Sequence, residues 1–148
     1  MGVVASGAMA RATIDHGRSL RSAGLRVTRQ RMAVLEALAA RQELVTAQEL
    51  HHELRGRPDA PGLATIYRTL SALAEAGELD TFPRDGEQAF RLCGTGHHHH
   101  LVCESCGLVQ EVDAEEVEAW VSRVARRRGF QVTGHTADIY GLCRACRA

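Results

Sequence analysis

His97-His98-His99-His100-Leu101-Val102-Cys103-Glu104-Ser105-Cys106 is the stretch on which the reading of this chain turns. It sets four imidazoles directly before a Cys-x-x-Cys pair, and a second pair, Cys143-Arg144-Ala145-Cys146, follows after 36 intervening residues. Each pair can occupy a tight knuckle, with Gly107 relieving the turn after Cys106. Four thiolates suit tetrahedral Zn²⁺ at Zn–S distances of about 2.3 Å, and a site closed by four protein ligands is structural rather than catalytic. A redox dithiol and a pair of disulfides are the alternatives, and a reducing compartment favours metal over both. The gap exceeds that of a simple zinc ribbon, so the loop must carry a helix and a strand. Residues 114–128 supply the helix, with Val117, Trp120, Val121 and Val124 as its expected buried stripe. Phe130 to Tyr140 alternates as a strand, and short apolar runs at 101–103 and 108–112 bracket the first knuckle.

The histidine run invites a second argument. In an extended segment alternate side chains face opposite ways. His98 and His100 then serve one site, and His97 and His99 another. Each pair needs partners from elsewhere: Cys93 and Asp80 lie close by in the chain, while Glu118 and His135 lie on elements able to pack on the other side. A thiolate from Cys93 favours zinc over manganese, or over iron held by carboxylate and imidazole. Plainer readings stay open at each position. The run could be a purification tag, although tags sit at termini and are usually longer. Cys93 could be a small buried hydrophobe, His135 a hydrogen-bonded or surface histidine, and Asp80 and Glu118 solvated carboxylates.

Upstream the character changes. A helix can begin near Arg18 and another at Thr28, with Met32, Leu35 and Leu38 inward. Thr46-Ala47-Gln48-Glu49 fits the capping box and opens a third helix running to about Arg55. Pro58 and Pro61 mark a turn before a fourth helix, from about Leu63 to Ala76, that stops at Gly77. Ile66, Leu70 and Leu73 share one face of it, Ala64, Arg68, Ser71 and Glu75 the other, and Tyr67 sits on the flank. Two short apolar runs around Arg84-Asp85-Gly86-Glu87 read as a hairpin. Helices followed by a hairpin describe a winged helix-turn-helix, or else a small helical domain with a hairpin and no DNA role, because such folds host several functions.

Composition removes other classes. The chain has 148 residues, 45% of them apolar and only 4% aromatic, and its formal net charge is zero. Residues 1–75 hold ten Arg against seven acids, residues 76–148 eight against eleven, and no Lys occurs at all. Arg suits forked contacts to phosphate and guanine, although an all-Arg chain also follows from GC-rich coding. The first ten residues lack the basic region of a signal peptide, and no stretch nears the roughly 20 apolar residues of a membrane span. A cytoplasmic protein is expected. His51-His52-Glu53 is followed by Arg55 and Gly56, so no H-E-x-x-H motif exists. The deaminase, nucleophile-elbow and phosphate-loop motifs are absent too. No catalytic residue and no small-molecule substrate is expected.

Together these segments resemble the ferric uptake regulator (Fur) family, and within it the zinc uptake regulator branch of actinobacterial type. The residues that carry the resemblance are Thr28-Arg29-Gln30-Arg31, Thr46 to His51, Gly62 to Leu70, Gly77 to Asp80, His97 to Cys106 and His135 to Cys146, spanning about residues 20–146. The resemblance implies an α+β protein: a flexible tail at 1–17, a winged-helix DNA-binding domain at 18–92, a hinge at 93–96, and a small α/β dimerisation domain with structural zinc at 97–148. It implies three metal sites holding two to three Zn²⁺ per subunit. Cys103, Cys106, Cys143 and Cys146 would form the structural one; Asp80, Cys93, His98 and His100 a hinge site that senses zinc; His97, His99, Glu118 and His135 a third. Tyr67 and Arg68 would face the major groove of a double-stranded operator, with Arg29 near phosphates. Ala64 departs from the hydroxyl residue usual in that branch, leaving Thr65 to supply a phosphate contact. The implied function is a homodimeric repressor of metal-uptake genes with zinc as corepressor. An iron- or peroxide-responsive regulator of the same family, and a zinc storage or delivery protein without a DNA role, are the alternatives.

Overall fold

The structure, a computed structural model, describes residues 15–92, 96–112 and 114–147. Cys93 lies outside the described residues, as does most of the expected N-terminal tail.

The N-terminal elements follow from local signals. Helix α1 (His16–Ser22) is capped by Asp15, and α2 (Arg29–Ala39) by the Thr28 hydroxyl, which accepts from the Arg31 amide. Strand β1 (Val45–Thr46) leads into α3 (Ala47–Leu54), where the capping box is complete: the Glu49 amide donates to Thr46 Oγ1 at 3.2 Å and the Thr46 amide to Glu49 Oε2 at 2.8 Å. Thr46→Ala orphans one helix-end donor and should cost about 1 kcal/mol. Faster amide exchange in α3 would report it, and unchanged exchange would show that the cap contributes nothing.

Helix α4 (Leu63–Glu75) ends in a Schellman turn. Gly77 sits at φ +76, with its amide on Ala74 O at 3.0 Å and the Glu78 amide on Leu73 O at 2.9 Å. Strands β2 (Asp80–Arg84) and β3 (Glu87–Arg91) pair antiparallel across Asp85-Gly86, both at positive φ, as the twist of a two-residue hairpin requires. The short β1 pairs with the other edge of β3, giving the order β1-β3-β2. Leu20, Leu35, Leu50, Ile66, Leu70, Leu73 and Phe90 are buried in one core beneath this wing. A winged helix-turn-helix therefore occupies the N-terminal half.

The C-terminal half is a second sheet, β4 (His99–Cys103), β5 (Val109–Val112) and β6 (Asp138–Gly141), with α5 (Glu115–Arg128) between β5 and β6 in the chain. The order is β5-β4-β6, antiparallel to β5 and parallel to β6. A small cluster of Leu44, Phe82, Ala89, Val102 and Val109 joins the wing to this sheet. The Leu44 amide donates to Gly107 O at 2.9 Å, and Arg84 Nη1 to Leu44 O at 3.0 Å. The winged-helix half is thus packed directly on the first cysteine knuckle.

Two expectations fail here. None of the stripe Val117, Trp120, Val121 and Val124 is buried, and Trp120 is 57% exposed. A helical period shows which residues share a face, not what covers it. The strand expected over 130–140 is confined to Asp138–Gly141. Among the described residues its ladder is with β4, where Asp138 to Gly141 pair with His100 to Cys103 and the His100 amide donates to Ala137 O at 3.3 Å. Among the described residues no helix is long and apolar enough to cross a membrane.

Candidate metal centres

The Cys103–Cys106 knuckle bridges β4 and β5, and the Cys143–Cys146 knuckle follows β6, the strand beside β4. Parallel pairing of Cys103 with Gly141 brings the two knuckles together. Cys106 Sγ lies 3.7 Å from Cys143 Sγ, and one sulfur from each cysteine falls within 4.8 Å of all the others. Four sulfurs at tetrahedral corners, each about 2.3 Å from a zinc ion, would stand about 3.8 Å apart. No disulfide joins any of these four cysteines in the structure. The Cys103 thiol is lowered to about 6, chiefly by the Cys106 amide, then those of Cys143 and Ser105, against the opposing effect of burial. Cys106 is pushed up to about 12: the Leu108 amide favours its thiolate, but the Cys103 thiol, burial and the remaining thiols outweigh it. Zinc binds the thiolate form, so a cation arriving here displaces thiol protons.

The histidine run splits as alternation requires. His98 Nε2 and His100 Nε2 each lie 3.2 Å from Asp80 Oδ2, at the start of β2. Their rings are edge to face with centroids 4.7 Å apart. This three-ligand set joins the wing to β4, and its expected fourth member, Cys93, lies outside the described residues.

On the other side, Glu118 Oε1 on α5 is met by His135 Nε2 at 2.7 Å, His97 Nε2 at 2.8 Å and His99 Nε2 at 3.4 Å. His97 and His135 present their Nε2 atoms to each other at 3.1 Å. Burial disfavours the charged Glu118, yet hydrogen bonds from His99, His135 and His97, with an electrostatic contribution from His135, prevail and lower its pKa. His99 is fully buried, and its Nδ1 has no hydrogen-bond partner among the described residues. Three imidazole nitrogens and a carboxylate converging on one point is a donor set suited to a divalent cation.

The residues expected at DNA lie elsewhere. Tyr67 and Arg68 are exposed on α4, with Arg68 Nε donating back to Ala64 O at 3.3 Å. Thr65 is half-buried in the first turn of the same helix. Arg29 opens α2 and is loosely paired with Asp59 at 3.9 Å. Two groups around the histidines had not been singled out in the sequence. His98 Nδ1 donates to Gly96 O at 2.8 Å, and His100 Nδ1 to Asp138 Oδ1 at 2.9 Å. Only the parallel pairing of β4 with β6, which no local pattern reveals, places Asp138 beside His100.

Residues 22–140 match the model of the ferric uptake regulator family. The chain belongs to the ferric uptake regulator family. It is 48% identical over 128 residues to the zinc uptake regulation protein of Mycobacterium tuberculosis, covering 86% of this chain and 98% of that protein. It is 34% identical over 131 residues to the ferric uptake regulation protein of Escherichia coli, covering 87% and 88% respectively. Among solved structures it is similar to the crystal structure of the Vibrio cholerae ferric uptake regulator, with a TM-score of 0.68 at 34% identity, across 87% of this chain and all of that one. The Fur-family chain is thus a metal-responsive transcription regulator and not an enzyme.

Proposed function

We propose that this Fur-family chain is a zinc-responsive homodimeric repressor of metal-uptake genes, with zinc as its corepressor. The observation that carries the reading is Asp80 of the wing meeting His98 and His100 of the second sheet. A cation held there, with Cys93 as fourth ligand, ties the DNA-binding half to the half that pairs the subunits. Metal then favours one relative placement of the two because its ligands converge only in that placement. Moving a population from mostly open to mostly closed takes about 5.5 kcal/mol of differential affinity. In a twofold dimer that placement sets two copies of α4 at major grooves a helical turn of DNA, or a multiple, apart. Tyr67 and Arg68 read base edges there, while Arg29 and Thr65 contact phosphates.

The four cysteines hold a structural zinc in this reading, and His97, His99, Glu118 and His135 a further ion, giving two to three Zn²⁺ per subunit. Support for zinc comes from the thiol-rich donor set and from the 48% identity to a zinc uptake regulation protein. Its test is a binding titration on a duplex selected from a random pool by the zinc-loaded protein. Zinc should tighten binding by two orders of magnitude or more, and Arg68→Ala should weaken it while leaving zinc content unchanged. Equal binding by protein retaining only its structural zinc and by fully loaded protein would overturn the reading.

A further inference from the structure

Asp138 stands directly opposite His100 in the parallel β4–β6 ladder, and its carboxylate Oδ1 is 2.9 Å from His100 Nδ1. The pairing is fixed from the backbone as well, because the His100 amide donates to Ala137 O at 3.3 Å. An ionised carboxylate can only accept, so Nδ1 must carry the hydrogen of this bond. That leaves Nε2 as the atom directed at Asp80, 3.2 Å away. The ring is further bounded by Phe82, edge to face at 5.1 Å. His98 is held by a comparable bond, but from a backbone carbonyl, Gly96 O at 2.8 Å. Of these two rings, His100 is the one whose Nδ1 meets a side-chain carboxylate.

We infer that Asp138 is the positioning residue of the hinge metal site: it fixes the orientation of His100 so that Nε2 is the nitrogen presented to the ion. The inference rests on the hinge reading proposed above. A carboxylate behind a ligating imidazole prevents the ring from turning away and polarises it towards the metal, and removing such partners typically costs 10–100-fold in metal affinity. Asp138 does not itself reach the ion, since it occupies the far nitrogen of the ring. It also belongs to the strand that leads into the second cysteine knuckle, so the sensing ligand takes its orientation from the element that the structural site anchors.

The test compares Asp138→Ala, Asp138→Asn and His100→Ala in the full chain, each first shown to retain its tightest zinc. Zinc affinity of the weaker sites is measured by competition with a chromophoric chelator. Asp138→Ala should lower hinge-site affinity 10–100-fold, and Asp138→Asn, which keeps an acceptor oxygen, should recover part of the loss. His100→Ala should lower it further. If His100→Ala weakens zinc binding and Asp138→Ala does not, the positioning role is wrong and the hinge reading stands. If neither changes it, the hinge reading falls and the inference with it. Long-range proton–nitrogen spectra of the zinc-loaded protein should show the His100 hydrogen on Nδ1, and a metal-bound Nδ1 would overturn the assignment. A residue with a merely structural role would lower thermal stability in Asp138→Ala while leaving that affinity and tautomer unchanged.

Discussion

Cys106→Ser is expected to unfold the C-terminal half of the protein while leaving the winged-helix core standing. The reason is how little else holds the second half together. Of its side chains, those of Val102, Cys103, Val109, His99 and His100 are buried, and α5 contributes none. Among the described residues, strand β6 is paired to β4 alone. A structural zinc in four thiolates supplies an apparent 10–16 kcal/mol, about the whole stability of an ordinary domain. Removing one ligand leaves a site that binds zinc weakly and a core too small to compensate. Helices α1 to α4 are differently placed, with their own buried core from Leu20 to Leu92. Amide exchange should therefore lose protection across β4, β5 and β6 and keep it in α2 and α4. Metal analysis should show the tightest zinc missing. Retained protection in β4 and β6 would mean that the knuckles are not the staple proposed for them.

What the sequence made legible were features encoded within a few residues. The Thr46–Glu49 box, the Thr28 cap, the Asp85-Gly86 turn and the stop at Gly77 each rest on a local conformational requirement, and each is found where that requirement places it. The split of the histidines is of the same kind, since alternation along a strand is purely local. Features that depend on pairing were not legible. Strand β1 is two residues long and shows no period at all. Strand β6 takes only Asp138–Gly141 of the alternating stretch, the four residues that pair with β4. Asp138 carries no local signal, because its partner is 38 residues away. The packing of Leu44 against the knuckle glycine is equally a product of topology.

The failed expectation for α5 leads to the other large effect. Its stripe was read correctly as apolar, yet among the described residues none of it is buried, and Val117 and Val121 are only half-covered. Trp120 is 57%, Ile139 51% and Phe130 75% exposed, and Leu101, Val124, Val132, Tyr140 and Leu142 are exposed as well. Exposed apolar side chains in this number call for cover, and a second copy of the chain supplies it in the function proposed above. In a twofold interface each copy of Trp120 is buried once, so a change there counts twice. Burying a large apolar side chain is worth about 1.5–3 kcal/mol, so covering Trp120 contributes at most about 3–6 kcal/mol per dimer, part of which offsets the cost of association. Trp120→Glu forfeits that and adds the cost of desolvating two carboxylates. The dimer dissociation constant should rise about 10³-fold, giving a monomer in sedimentation velocity at micromolar concentration. Trp120→Phe should stay dimeric. The zinc content of the cysteine site should be unchanged in both, which separates loss of pairing from loss of folding. Operator binding should fall with the dimer, because one α4 engages a single groove and loses the second half-site. A Trp120→Glu protein that remains dimeric and binds operator normally would show that subunits pair through some other face.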